Sequence, residues 1–303
     1  MTQQVVPARR RSARNRDGRA AVGFLAPSAV SFVLFVLVPT VGVLFLSLFD
    51  WNLISSGRFI GLANFGRLVA DQRLRAVYGS TAFMAVAILA VNVVIGLVIA
   101  VLLETRMPRV LRAAFRLSYL FPFVVSASAV ALIWRFLLNK DLGAVNYWLG
   151  LVDISRIDWL GSSAWTPVSV ILVNSWKTIG FSILVYIAGL RGIPNEYREA
   201  AIVDGAGPWA RFRFVTLPLL SPTVLFLVVI NTINAFQLFA EPRVLTQGGP
   251  GDASRSIVEY MYDAAFQGFQ LGYASAVAVT LMVVLVALTA LQFAASRRWT
   301  FYS

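Results

Sequence analysis

The side chains of this 303-residue chain that could do chemistry lie in or beside strongly apolar stretches. Asn174, Trp176, Lys177 and Thr178 share one such stretch, and Asn231, Asn234 and Gln237 recur every third residue in another. A third group is the charged segment Glu196 to Pro218, caught between two oily runs. Amides and hydroxyls exchange hydrogen bonds with a polyhydroxylated solute, and a lysine ammonium pairs with an anion. Covalent catalysis has no obvious agents: cysteine and histidine are absent, which removes thiol chemistry, His-based triads and most zinc sites. A phosphate-cradling GxxxxGK[ST] loop is missing too, because Lys177-Thr178 follows Ser175-Trp176 inside an apolar run. The expectation is therefore a protein with no catalytic residue, no metal and no cofactor.

These groups are positioned by membrane helices. The chain is 58% hydrophobic and 13% charged, against roughly 45–50% and 25% for soluble domains. A bilayer core of about 30 Å needs roughly 20 apolar residues per helix, and six stretches qualify: 22–49, 80–103, 115–138, 165–189, 217–239 and 271–295. The fold class expected is an all-α membrane protein of six transmembrane helices. A basic tail, 1–21, precedes a membrane domain, 22–303. That tail resembles the start of a signal peptide, but the apolar run after it is too long and lacks a small-residue cleavage site, so a retained helix is expected. Pro27 and Pro39 predict a tilt or kink in it.

Loop charges orient the bundle. The N-terminal tail, the loop with Arg106, Arg109, Arg112 and Arg116, the loop with Arg191, Arg198, Arg211 and Arg213, and the tail with Arg297 and Arg298 hold 16 of 26 basic residues. The three alternate loops hold 8. By the positive-inside rule both termini are cytoplasmic, and so is the Glu196–Pro218 segment. The formal charge of +12 is therefore a membrane-topology signal, and no nucleic-acid partner is expected.

Within that segment, Glu196 to Asp204 favours helix, started by Pro194-Asn195 and ended by Gly205 and Gly207-Pro208. Small Ala200 and Ala201 let a partner approach the backbone, and Glu199 offers it a carboxylate. The pattern Glu199-Ala200-Ala201, three residues, Gly205, nine residues, Val215-Thr216-Leu217-Pro218 resembles the EAA loop of bacterial ABC importer permeases, with Val215 where Ile is usual. Leu245–Phe266, Phe59–Phe65 and Trp134–Asn139 are similar to further segments of the sugar and glycerol-3-phosphate uptake permeases, in particular the maltose-type large subunit.

The resemblance implies a type I importer permease fold and a coupling loop, 191–216, that grips an ATPase. Its coupling residues would be Glu199, Ala200, Ala201, Asp204, Gly205, Ala206, Leu217 and Pro218. It implies as partners a second permease subunit (a heterodimer is expected), two cytoplasmic ATP-binding subunits and an extracytoplasmic solute-binding protein, in a bacterial inner membrane. It also places Asn174, Lys177, Thr178, Phe181, Asn231 and Asn234 at solute-pocket positions; interhelical bonding is the alternative role for the asparagines. No Asp or Glu lies within the six expected spans, so Lys177 should lack a buried carboxylate from its own chain. A centred lysine costs about 2.5–3.5 kcal/mol on insertion scales, which argues against an accidental placement; an anionic solute such as glycerol-3-phosphate or a glycerophosphodiester would supply the missing charge, and a neutral sugar stays open. A stand-alone secondary transporter is the competing function, and it leaves the EAA pattern unexplained.

Overall fold

The computed structural model describes residues 23–297 except 53, 55–56 and 105–107, and not the side chains of 109, 111–113 and 116. The expected basic tail 1–21, Arg106 and Arg298 lie outside the described residues.

Helix α1, Gly23–Leu46, is apolar throughout and exposed along nearly its whole length. Its backbone ladder shifts to a π turn at Val33–Leu37, immediately before Pro39, whose missing N–H and bulky ring disturb the preceding turn. A two-stranded hairpin, β1 Phe49–Asp50 and β2 Arg58–Phe59, follows. Helix α2, Ala63–Ala70, locks it in place: buried Asn64 donates Nδ2 to the carbonyls of Ser47 and Phe49, both at 2.9 Å.

Helix α3, Gln72–Leu103, is capped by Asp71, whose carboxylate accepts from the Leu74 N–H at 3.0 Å. Helices α4, Arg109–Val124, and α5, Ala127–Leu137, occupy the stretch expected as one span, 115–138. They are bent by 108° at Val125–Ser126, so the third expected span is a broken one. Pro122 removes one ladder donor, and Val125 and Ser126 adopt extended backbone (ψ 146° and 132°). After the short α6, Ala144–Gly150, comes the 28-residue α7, Trp165–Gly192. The segment expected to couple holds α8, Asn195–Val203, and α9, Pro208–Arg211, which runs through a π turn at Phe212–Thr216 towards α10, Ser221–Phe236. Helices α11, Ala240–Leu245, and α12, Ile257–Tyr262, precede the last span, α13, Leu271–Ser296. Among the described residues five helices are long and apolar enough to cross a membrane, six if the bent pair counts as one.

The bundle packs α3 against α7 and α10, α4 against α7, α5 against α11, and α1 and α10 against α13. Two glycines set the closest approaches. A Cβ on Gly180 of α7 would lie 1.8 Å from the Tyr119 carbonyl oxygen of α4, and one on Gly272 of α13 would lie 1.8 Å from the Phe49 carbonyl oxygen. Both neighbours are backbone, which cannot swing aside. Gly180→Val and Gly272→Val should each lower the thermal unfolding midpoint in detergent and the yield of monodisperse protein, at a cost of about 1–3 kcal/mol or more. Gly79→Ala, where a Cβ meets nothing within 4 Å, should match or exceed wild type.

Candidate functional site

Two apolar clusters make up the core, and a polar layer separates them on the same three helices. The first cluster includes Ile88 of α3, Val173 of α7 and Ala235 of α10; the second includes Ala100, Ile183 and Leu227 of the same helices. Between them lie Asn92, Thr178 and Asn231. Asn92 donates Nδ2 to Thr178 Oγ1 and to Asn231 Oδ1, both at 2.9 Å. Asn231 in turn donates to Ser182 Oγ at 3.2 Å and to the Leu227 carbonyl at 2.9 Å. Thr178 donates back to the Asn174 carbonyl at 2.8 Å, and Asn174 donates Nδ2 to Glu241 Oε1 at 3.0 Å.

The structure thus joins three of the expected pocket residues, Asn174, Thr178 and Asn231, in one bonded chain. Lys177 and Phe181 share the α7 flank with Asn174 and Thr178, following the helical period. Phe181 stacks on Phe123 at 5.4 Å. Asn234 is exposed and lies outside the network, as is Gln237, which is no longer helical. A spacing of three falls about 60° short of a full turn at each step, so the α10 amides drift off a common face.

Two members of this layer escaped the sequence reading. Asn92 is a lone amide in an apolar run, and it sits in a π-helical turn, Val91–Ile95; such turns recur at functional sites. Glu241 fell just past the expected end of the fifth span, yet α11 returns it to the bundle, where it is 4% exposed. No Asp or Glu lies within the expected spans, yet Glu241, just past the fifth, bonds Asn174, one turn before Lys177. Lys177 itself forms no ion pair with any described residue.

The coupling segment has its own geometry. Pro194 (φ −57°, ψ 138°) turns the chain out of α7, and α8 ends in a double bond pattern: Gly205 N–H to the Ile202 carbonyl at 3.0 Å and Ala206 N–H to the Ala201 carbonyl at 2.9 Å. This is a Schellman closure, and it requires the left-handed backbone of Gly205, φ +74°. The three-residue gap between Ala201 and Gly205 is therefore a helix-capping requirement. Of the expected coupling residues, Glu199, Ala200, Asp204 and Gly205 are exposed, Ala206, Leu217 and Pro218 are half-buried, and Ala201 is buried. Val203 and Trp209 stand 87% and 71% exposed, an apolar surface out of place on an isolated loop.

On the opposite face, the segment Leu245–Phe266 is fastened to α3 by charge. Arg73 grips Asp252 through two bonds of 2.6 and 2.9 Å; Arg255 pairs with both Asp252 and Asp263, and Arg243 meets Asp263 at 2.9 Å. The Arg73 hydrogen bond holds the Asp252 carboxyl below its ordinary pKa. Glu259, with no exposed surface, lies 3.6 and 3.8 Å from Arg243 and Arg255, and burial pushes its carboxyl up. Burial also raises Asp71, but the phenols of Tyr260 and Tyr273, donating at 2.6 and 2.5 Å, outweigh that and hold it below its usual value.

The fold is a helical bundle with a polar layer between two apolar clusters and a patterned segment, Glu196–Pro218, outside it. Residues 92–301 match the family described as "Binding-protein-dependent transport system inner membrane component", and the chain belongs to it. It is 35% identical to the probable ABC transporter permease protein YurN of Bacillus subtilis (strain 168), over 89% of this chain and 93% of that one. To the sn-glycerol-3-phosphate transport system permease protein UgpA of Agrobacterium fabrum it is 32% identical, over 89% and 92%. In fold it is similar to a crystal structure of a bacterial ABC transporter involved in the import of the acidic polysaccharide alginate, with a TM-score of 0.83 at 24% identity, covering 94% of this chain and 98% of that chain. The chain is thus an inner-membrane permease subunit of an ABC importer and not an enzyme, ATP hydrolysis residing in a separate subunit. Family membership removes the stand-alone secondary transporter.

Asn92→Leu should uncouple the three helices at the polar layer. It strips both donors from Thr178 and Asn231 at a cost of about 1–2 kcal/mol, read as a lower unfolding midpoint in detergent. An unchanged midpoint would show that the amide does not hold the layer.

Proposed function

We propose that the polar layer between α3, α7 and α10 is the route of a hydroxyl-rich solute of the sugar or glycerol-phosphate type, and that α8 is the surface through which an ATPase drives it. The observation that carries this is the placement of amides and hydroxyls between two apolar clusters, where a lipid-facing helix would have none. Asn174, Thr178, Phe181, Asn231 and Asn234, with Asn92 and Glu241 added, would bond the solute's hydroxyls and cover its apolar face. The basic tail and the coupling loop, 191–216, then face the cytoplasm with both termini, in line with the arginine distribution. The exposed α1 supports a second permease subunit across the pathway, and the segments fastened around Asp71 and Asp252 support an external binding protein. Two ATP-binding subunits complete the assembly, one for each coupling loop.

Glu199 is the residue on which coupling is tested. It is exposed and forms no ion pair with a described residue, so Glu199→Lys should leave the unfolding midpoint unchanged. Uptake should nonetheless fall to background and the ATPase should no longer co-purify. Wild-type uptake would overturn the role given to α8.

Lys177 favours the anionic version of the solute. Its ammonium lacks a carboxylate within ion-pairing distance among the described residues, and UgpA, at 32% identity, is a glycerol-3-phosphate permease. Lys177→Met should cut uptake of a phosphorylated solute about tenfold or more, the value of a lost charge-assisted bond of about 1.5–3 kcal/mol. Equal uptake by mutant and wild type would assign the pathway to neutral sugars.

A further inference from the structure

We propose that the recess behind the coupling segment is a binding site for the phosphate of an anionic phospholipid. The recess has a volume of about 310 Å³ and opens between the ends of α3 and α7, where the hydrophobic part of both helices stops, and the residues of α8 and α9. Two guanidiniums line it, Arg198 of α8 and Arg211 of α9. Neither forms an ion pair with a described residue, and the Arg211 Nε is buried with no hydrogen-bond partner. The acid in the lining, Glu104, is already held by Arg191, at 2.7 Å from its Nη2 and 3.1 Å from its Nε. The described lining is therefore left with two unmatched positive charges, one of them partly out of water, and such a group is stabilised by an anion.

The remaining wall selects among anions. Val101, Leu190 and Phe212, each half-buried, give the recess an apolar side. A free phosphate has no use for that side. A phospholipid does: its phosphodiester meets the two forked guanidiniums, which match phosphate oxygens in pairs, and its acyl chains run along Val101 and Leu190 into the bilayer. Basic pockets between helix ends at the cytoplasmic leaflet bind anionic headgroups for this reason. The lipid would tie α8 and α9 to the ends of α3 and α7, the joint across which docking motion must pass. The choice of leaflet rests on the cytoplasmic placement of the coupling loop proposed above; the existence of the site does not.

The test uses the purified full-length permease with its permease partner, with and without the ATP-binding subunits, by native mass spectrometry and by thermal unfolding in nanodiscs. Wild type should retain bound phosphatidylglycerol and unfold several degrees higher in discs containing it than in phosphatidylcholine discs. Arg198→Gln with Arg211→Gln should abolish both effects while matching wild type in phosphatidylcholine. If the double variant unfolds early in phosphatidylcholine, Arg198→Gln alone, at an exposed position, should still weaken retention. Equal retention by wild type and variant would overturn the site. So would a stabilisation reproduced by inorganic phosphate in phosphatidylcholine discs, which assigns the charge to a soluble anion, or loss of the lipid once the ATPase binds, which assigns it to a protein carboxylate. ATPase capture is scored separately, so a failure of docking and a failure of the lipid site are distinguishable.

Discussion

Inside hydrocarbon a side-chain amide has no water to bond, so it must find its partners in the protein, and the Nδ2 of Asn92 finds them on two other helices at once, while its Oδ1 is buried with no hydrogen-bond partner among the described residues. Its two 2.9 Å bonds, to Thr178 and Asn231, fix the relative depth of α3, α7 and α10. A slide of any one helix by a residue would strand several polar groups together. The apolar clusters on either side tolerate sliding far better, since a Leu or Val finds an equivalent neighbour one step along. Each interhelical bond contributes only about 0.6–2 kcal/mol, so the layer sets register more than it sets stability. That combination suits a permease, which must hold its helices in order and still let them shift.

The two ends of the bundle are built to opposite specifications. The end that carries Leu245–Phe266 is braced by Arg73, Asp252, Arg255, Asp263 and Arg243, and by two tyrosines on Asp71. Thr81 and Ser80 of α3 add bonds to the Ile257 N–H and the Arg255 carbonyl. The end that carries α8 and α9 has no such web among the described residues. Glu104 and Arg191 make one ion pair there, and α8 stands away from the bundle with Ile202 and Val203 exposed. A surface left apolar and unbraced needs a partner, whereas one braced by buried charge keeps its own shape.

Much of this was legible in the sequence because its signals are local. Span length and the spacing of Glu199-Ala200-Ala201 from Gly205 each depend on neighbours in the chain, and the Schellman closure gives that last spacing its physical reason. What was not legible depends on distant contacts. The bend at Val125–Ser126 is hidden in a hydropathy profile, which sums side chains and ignores ψ. Glu241 looked like a loop residue because the turn that returns it to the bundle lies beyond the apolar run. Asn92 carried only the weak signal of one amide among Val and Ile, and its partners lie 86 and 139 residues away.

These placements also say how a push at α8 would reach the polar layer. Helix α7 is continuous from Trp165 to Gly192, with no proline inside beyond its first turn. It carries Asn174, Lys177, Thr178 and Phe181 near its middle and Arg191 at its end, paired with Glu104 at the end of α3. Past Gly192 the chain turns at Pro194 straight into α8. A displacement of α8 is therefore delivered to the ends of α7 and α3 together, through Arg191 and Glu104. At the Gly180 contact α7 and α4 touch backbone to backbone, so α7 has no slack there and must carry α4 with it or pivot on it. Pivoting about Gly180 would move the Asn174 half and the Arg191 half of α7 in opposite directions. It would strain the bond to Glu241 and the bond from Asn92.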